Sequence, residues 1–482
     1  MKPMPLSTIT LWTRGRLLSN VGELLVSGVS TDSRNIQPGD LFVALKGERF
    51  DGHDFAIKAA AQGAAALLLE EDKAQGICEA LKHEASPSPK QAVIAVEDTL
   101  SALQAMAGSY RNMFTLPVIA VTGSTGKTTT KDMIAAICSN RGPVLKSWAN
   151  FNNEIGLPLT LLKLNSHHRT MVVEMGMRGL GQIRTLAKIA QPSVGVITNV
   201  GAVHMELLGS QSAIQTAKRE LVETMAPGSL AVLNADDPLV RDMAEACFDK
   251  EVIFYGWQSK PSWNECGSET AYLAATDVVT RGAEGISFRL HWGGRSAAIE
   301  LPVPGIYQVS NALAAAAAAL GVGASLDDIQ VGLAGVKLSD MRMELIPWLE
   351  NGLVINDAYN ANPTSMVAAL QTAHEIAAGR PLVLVLGDML ELGPLSESAH
   401  YEIGRKAATY NPVYLITVGP MAKDIAEGAR DEGMDPALVV ECKDREVASR
   451  MALQLAKPGD VVLVKASRGL ALEHVVRALD TM

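Results

Sequence analysis

Between residues 117 and 233, short and nearly continuous apolar runs alternate with stretches whose apolar residues recur at helical spacing: PVIAV (117–121), TTKDMIAAICSN (129–140), TMVVEMG (170–176), IRTLAKIA (183–190) and VGVITNV (194–200). Such runs suit strands covered on both faces, and their alternation with helix-length segments predicts parallel strands joined by crossover helices. A second series begins after Met343 with GLVIND (352–357), PLVLVLGD (381–388), VYLITVG (413–419), ALVVEC (437–442) and DVVLVKAS (460–467), spaced by helical segments such as 396–409 and 445–456. Between 270 and 300, short strands with Gly-rich turns interrupt the rhythm as a β insertion would. The Ala-rich run 311–320 stops at Gly321, which predicts a closely packed helix. Upstream, a region that closes with the polar stretch SPSPK (86–90) and a helix over 99–113 reads as a small α/β unit of its own. The expectation is an α/β protein of three domains, 1–113, 114–334 and 335–482, with no long internal repeat.

The 482 residues are 48% hydrophobic and 20% charged, ordinary for a folded chain. Lys and Arg number 42 against 52 Asp and Glu, a formal charge of -10 without a long basic block. That removes nucleic acid from the expected partners, but not a nucleotide held by backbone amides and a metal. Five scattered cysteines, Cys78, Cys138, Cys247, Cys266 and Cys442, suggest neither a disulfide framework nor a zinc spacing, and fit a reducing compartment. MKPMPLSTITLWTRGR (1–16) lacks a sustained apolar run, and the longest apolar stretch, 312–320, is too short to cross a bilayer. A cytoplasmic protein with no membrane span is expected.

The chemistry concentrates in VIAVTGSTGKTTT (118–130), a buried-type strand entering a glycine loop that opens a helix. Gly123 and Gly126 let backbone N–H groups converge on phosphate oxygens, Lys127 would meet the β- and γ-phosphates, and Thr128 would meet Mg2+. Val121 stands where the usual phosphate loop has its first glycine, and a plain glycine-rich turn is the competing reading. Open α/β sheets place their chemistry at the C-terminal ends of strands, where Glu174 closes one run and His204 follows another. Magnesium accepts carboxylate oxygen readily and histidine less so, and His204 alone is as readily an ordinary loop residue. In the helix expected over 212–225, Lys218 shares a face with Ile214, Leu221 and Met225. Desolvation there would lower its pKa, although pattern alone favours a lysine whose stem lies on the core while its head reaches water.

Together these residues resemble the Mur ligases, ATP-dependent amide-bond-forming enzymes of bacterial cell-wall precursor synthesis, whose short GxxGKT loop accommodates Val121. The resemblance runs through all three segments and implies a central P-loop-type ATPase domain, with a mostly parallel sheet, followed by a Rossmann-like C-terminal domain. It implies that Gly123, Ser124, Thr125, Gly126, Lys127, Thr128 and Thr129 bind ATP, and that Thr128, Glu174 and His204 hold Mg2+. Lys218 is implied to be carbamylated, its neutral amine having met CO2 to become an anionic ligand. Lys127, His204 and Lys218 are the implied catalytic residues. STDSRNIQPGDLFVALKGERFDGH (30–53) is similar to a uridine-nucleotide domain, with Ser30, Thr31, Asp32, Ser33, Arg34 and Lys46 at the UDP end. NFNNEIGLP (150–158) matches a substrate-facing loop and gives Asn152 and Asn153. Asn311 resembles the family asparagine near adenine. Arg342, Asp357 and Asn360 resemble residues that close on ATP, with Met341-Arg342 where the family has Gly-Arg. LGDMLELG (386–393) and VKASRG (464–469) resemble the members that add D-alanyl-D-alanine, and imply Asp388, Glu391, Lys465, Ser467 and Arg468 near that dipeptide.

The implied partners are therefore UDP-N-acetylmuramoyl-tripeptide and D-alanyl-D-alanine, joined through an acyl phosphate by a monomer whose C-terminal unit swings onto the central one. Three other readings compete. A tripeptide-forming relative would carry an Asp-Asn-Pro-Arg signature, absent here, and a folylpolyglutamate synthetase would lack the Ser30–Arg34 segment. A phosphate-loop switch or motor would hydrolyse nucleotide without an acceptor.

Overall fold

The computed structural model describes residues 1–19, 22–48, 50–83, 91–201, 205–258 and 272–481. The stretch 86–90, Cys266 and the candidate ligand His204 lie outside the described residues.

Among the described residues, nine strands form the central sheet in the order Arg295–Leu301, Ile286–Trp292, Tyr272–Thr280, Glu251–Gly256, Leu230–Asn234, Val194–Ile197, Val118–Thr122, Thr170–Glu174, Val144–Lys146. All from Tyr272–Thr280 onward are parallel, and the first two add an antiparallel edge. The expected alternation is therefore present, and its apolar strands are buried on both faces. Val118 and Ala120 point into one core, while Ile119 and Val121 point into the other. The segment read as a β insertion is not separate. Its strands continue the same sheet, because Tyr272–Thr280 pairs in parallel with Glu251–Gly256, a strand the pattern reading omits.

The Ala-rich helix spans Gln308–Gly321, and its alanines from Ala312 to Ala319 are buried against the sheet and the helix Lys127–Ser139. Side chains this small permit close helix approach. The loop helix packs still closer to Leu326–Ala334, where a Cβ on Gly332 would meet the backbone of Ile137.

The C-terminal sheet has the order Glu344–Trp348, Gly352–Asn356, Val461–Lys465, Leu382–Gly387, Tyr414–Val418, Val439–Cys442 and is parallel except for its first strand. Its helix Pro363–Ala377 starts where pattern chemistry puts it, at a reciprocal cap between Asn362 and Ser365 with proline in the first turn. The N-terminal sheet is Arg16–Leu17, Ala92–Val96, Ala66–Glu70, Asp40–Val43, Gly28–Ser30. The helix Thr99–Arg111, two residues shorter than expected at its end, bolts this unit to the central one. Tyr110 donates to the Leu164 carbonyl at 2.8 Å, and Arg111 Nε to that of Ala190 at 3.0 Å.

Candidate active site

The strand Val118–Thr122 delivers the glycine loop to the C-terminal edge of the sheet, and Gly126, with φ of 78°, turns it into the helix Lys127–Ser139. Left-handed backbone favours glycine, and a Cβ on Gly126 would also collide with the Asn311 side chain. A Cβ on Gly123 would meet Thr198 Oγ1, so both glycines admit close approach. The neighbouring strand exit braces the loop. Asn199 Oδ1 accepts from Thr125 N at 2.9 Å, its Nδ2 donates to Thr125 Oγ1 at 2.9 Å, and Thr198 Oγ1 donates to the Thr125 carbonyl at 2.6 Å. Lys127 folds back, with Nζ donating to the carbonyls of Gly123 at 2.7 Å and Ser124 at 3.2 Å. The loop N–H groups of Ser124 and Thr125 are engaged as well, with the carbonyl and Oδ1 of Asn199. Burial holds the Lys127 pKa below its ordinary value; Glu174 opposes the shift and Arg342 adds to it.

Glu174 ends its strand opposite Val121, which brings its carboxylate to the loop. Oε2 accepts from Thr128 Oγ1 at 2.7 Å and Oε1 from Asn152 Nδ2 at 2.8 Å. A hydroxyl beside a carboxylate is a hard-oxygen pair that suits Mg2+ in place of the hydrogen bond between them, although no cluster of three or more acidic, His or Cys ligands occurs among the described residues. Lys218 lines the same cleft from the helix Gln211–Thr224, at 2% exposure. Its Nζ has no hydrogen bond or ion pair among the described residues. Burial first, and the Lys127 charge second, hold its pKa well below the ordinary 10.5. An amine kept neutral in this way is the form that adds CO2, and a carbamate would bring oxygen ligands where the cluster lacks them. The competing expectation of a head in water does not hold for Lys218.

The facing wall comes from the C-terminal unit. Arg342 lies with its guanidinium carbon 4.3 Å from the Tyr359 ring centre, and its buried Nε has no hydrogen-bond partner. Asp357 is clamped between Met343 N at 3.1 Å and Lys465 Nζ at 2.5 Å, and Lys465 also donates to the Asn360 carbonyl at 3.0 Å. Loop, Glu174, Lys218, Asn152, Asn153, Asn311, Arg342, Asp357, Asn360 and Lys465 thus line one cleft of about 850 Å3 between the two units.

Three family models match in succession: the Mur ligase family catalytic domain over residues 25–111, the Mur ligase middle domain over 121–319 and the Mur ligase glutamate ligase domain over 341–468. The UDP-N-acetylmuramoyl-tripeptide--D-alanyl-D-alanine ligase of Bacillus subtilis is 38% identical over 95% of this chain and 94% of its own. That of Escherichia coli is 35% identical over 100% and 99%. The chain belongs to the Mur ligase family. Its fold superposes on the crystal structure of MurF from Acinetobacter baumannii with a TM-score of 0.85, at 30% identity over 100% of this chain and 99% of the other. A MurF ligase from Thermotoga maritima, solved in complex with ADP, gives 0.77 at 26% identity over 95% and 97%.

Not every residue implied by the Mur ligase resemblance enters the cleft. Ser30, Thr31, Asp32, Ser33, Arg34 and Lys46 lie on the N-terminal unit and do not line that cleft. There Arg34 donates to both Asp32 oxygens, at 2.9 Å from Nε and 2.8 Å from Nη2, and these bonds chiefly hold the carboxyl at about 2. Asp388 is buried and caps the helix Lys423–Asp431, accepting from Met421 N at 3.0 Å and Ala422 N at 2.7 Å. Burial pushes its pKa up. Ser467 Oγ holds Leu390 N at 2.9 Å, and Arg468 pairs with Glu473 at 2.8 Å. Glu391 stands 3.5 Å from Arg178 of the central unit. These four shape the loops of this Mur ligase behind or beside the cleft. Thr198 and Asn199 escaped the sequence reading, although their place at a strand's C-terminal end was the available signal.

Proposed function

We propose that this chain is an ATP-dependent ligase that adds D-alanyl-D-alanine to UDP-N-acetylmuramoyl-tripeptide, giving the UDP-linked pentapeptide, ADP and phosphate in peptidoglycan precursor synthesis. The observation that carries the reading is the gathering, in one cleft, of a phosphate loop, Glu174 and the unpartnered Lys218 amine opposite Arg342 and Asp357. The relatives named above carry this activity over nearly the whole length of the chain.

A carboxylate resists nucleophiles because its charge is delocalised, so the terminal carboxylate of the tripeptide first attacks the γ-phosphorus of ATP and ADP departs. The dipeptide amine then attacks the acyl carbon, and phosphate leaves. Loop amides and Lys127 spread the charge of the moving phosphoryl group, and Arg342 faces it from the other wall. Mg2+, held by Thr128, Glu174 and carbamylated Lys218 with His204 as the implied further ligand, supplies charge neutralisation when bound. Asn152 fixes the Glu174 carboxylate. Asn311 takes the adenine end, while the Ser30–Arg34 segment with Lys46 takes the UDP end. Asn153, Asp388, Glu391, Lys465, Ser467 and Arg468 form or support the dipeptide side. The domains divide at 113/114 and 334/335, and the enzyme acts as a cytoplasmic monomer. Among the described residues no helix is long and apolar enough to cross a membrane.

The test is phosphate release from ATP and Mg2+ with the two co-substrates added singly and together, and products weighed by mass spectrometry. Release only with both, with the pentapeptide formed, is expected. Release that ignores the dipeptide would refute the ligase assignment in favour of a nucleotide switch.

A further inference from the structure

Asp132 lies on the loop helix, five positions beyond Lys127, with its carboxylate fully buried. Oδ1 takes Lys146 Nζ at 2.7 Å and stands 3.4 Å from Lys131 Nζ. Burial acts to raise the Asp132 pKa, but Lys131, Lys146 and the Ser339 hydrogen bond together hold it below its ordinary value. Oδ2 is directed elsewhere, accepting from Ser339 N at 2.9 Å and from Ser339 Oγ at 2.7 Å. Ser339 belongs to the connection between the helix Leu326–Ala334 and the first C-terminal strand, Glu344–Trp348.

Three residues beyond Ser339 comes Arg342, flanked by two left-handed residues, Met341 with φ of 59° and Met343 with φ of 50°. Side chains disfavour that backbone region, so the surroundings must hold it. The C-terminal unit does so on one side, through Glu344 on Met341 N at 3.1 Å, Asp357 on Met343 N at 3.1 Å and the Met341 carbonyl on Tyr359 N at 3.3 Å. On the other side the anchor is the pair of bonds from Ser339 to Asp132. We infer that Asp132, through Ser339, is a positioning residue that ties the interdomain connection to the phosphate-loop helix and so keeps the Arg342 guanidinium facing the nucleotide. Loop and arginine then move as one unit, because both hang from the same helix. The inference rests on the assignment of Arg342 to ATP, and its test separates the two.

Ser339→Ala keeps Asp132 and its lysines but deletes one anchoring bond, and Ser339→Thr retains the hydroxyl. Loss of one hydrogen bond to a buried carboxylate lowers kcat/KM for ATP about tenfold, while KM for the UDP-peptide and the dipeptide stays within about twofold. S339T restores the ATP value. Arg342→Ala lowers ATP use in the parent enzyme but costs less in the S339A background, since the guanidinium there has already lost its place. If R342A leaves ATP use intact, the Arg342 assignment fails. If R342A acts but S339A does not, if the two are additive, or if S339T fails to rescue, the anchor is overturned.

Discussion

Lys218→Met should stabilise the protein while silencing it. Lys218 is 2% exposed, and its amine has no partner among the described residues, so folding either strips its proton or buries an uncompensated charge. Methionine keeps the length and apolar stem without that cost. Replacing buried charge by well-packed apolar atoms typically gains about 1–4 kcal/mol, and for a unit the size of the central one each kcal/mol moves the midpoint by about 2–4 °C. The pH dependence has a definite sign. The folded pKa lies well below the ordinary 10.5, so between the two the unfolded chain binds a proton that the folded chain does not. Stability of the parent therefore rises with pH across that window, and K218M lacks this slope. The advantage of K218M is greater at the low-pH end of that window and shrinks toward pH 10.5. The assay is thermal unfolding in metal-free, CO2-depleted buffer at several pH values, alongside phosphate release under full substrate. A K218M midpoint equal to or below the parent's at neutral pH, with parallel pH profiles, would refute the argument that this lysine is an unpaired buried amine.

Lys127→Ala should abolish turnover with the fold intact by circular dichroism, because it removes the cation of the phosphate loop, whose Nζ donates to the Gly123 and Ser124 carbonyls. Glu174→Gln keeps the size of the side chain beside Asn152 and Thr128 but removes its negative charge, and turnover should fall about 100-fold with a raised Mg2+ requirement in a titration. Gly332→Ala forces a methyl against the Ile137 backbone and should cost about 1–3 kcal/mol in denaturant unfolding, since backbone yields less than a side chain. Arg34→Ala should raise KM for the UDP-peptide about tenfold and leave KM for ATP unchanged in steady-state kinetics.

Elements whose chemistry is local in the chain were legible from sequence. The loop 118–130 announces itself because a strand, two glycines, Lys127 and a helix start must be contiguous to cradle phosphate. Glu174 was found by a topological rule, and Lys218 by helical periodicity, although only its burial decided between a head in water and an amine in the cleft. The edge strands Val144–Lys146 and Glu344–Trp348 were missed; both are only partly buried, the first is three residues long, and the second carries a proline. Asp388 has contacts that its local sequence does not carry. Its place after a strand implied substrate, and its carboxylate accepts from the backbone N–H groups of Met421 and Ala422, just before the helix Lys423–Asp431, contacts 33 and 34 positions away that no local pattern carries.

Asp132 shows where sequence reading stops for a physical reason. It reads as an acidic residue in a helix, and its meaning depends on Ser339, which lies 207 positions away. A contact between residues so far apart in the chain depends on how the sheet places the connecting elements, so no local pattern carries it. Yet it decides how the two walls of the cleft are coupled. The loop is braced by Asn199 from the adjacent strand, the metal-side carboxylate by Asn152, and the opposing arginine by a connection pinned to the loop helix itself. A disturbance at the nucleotide end must therefore reach Arg342 through backbone and paired charge rather than through a flexible joint, which is the arrangement an acyl phosphate needs if water is to be kept from it while the dipeptide arrives.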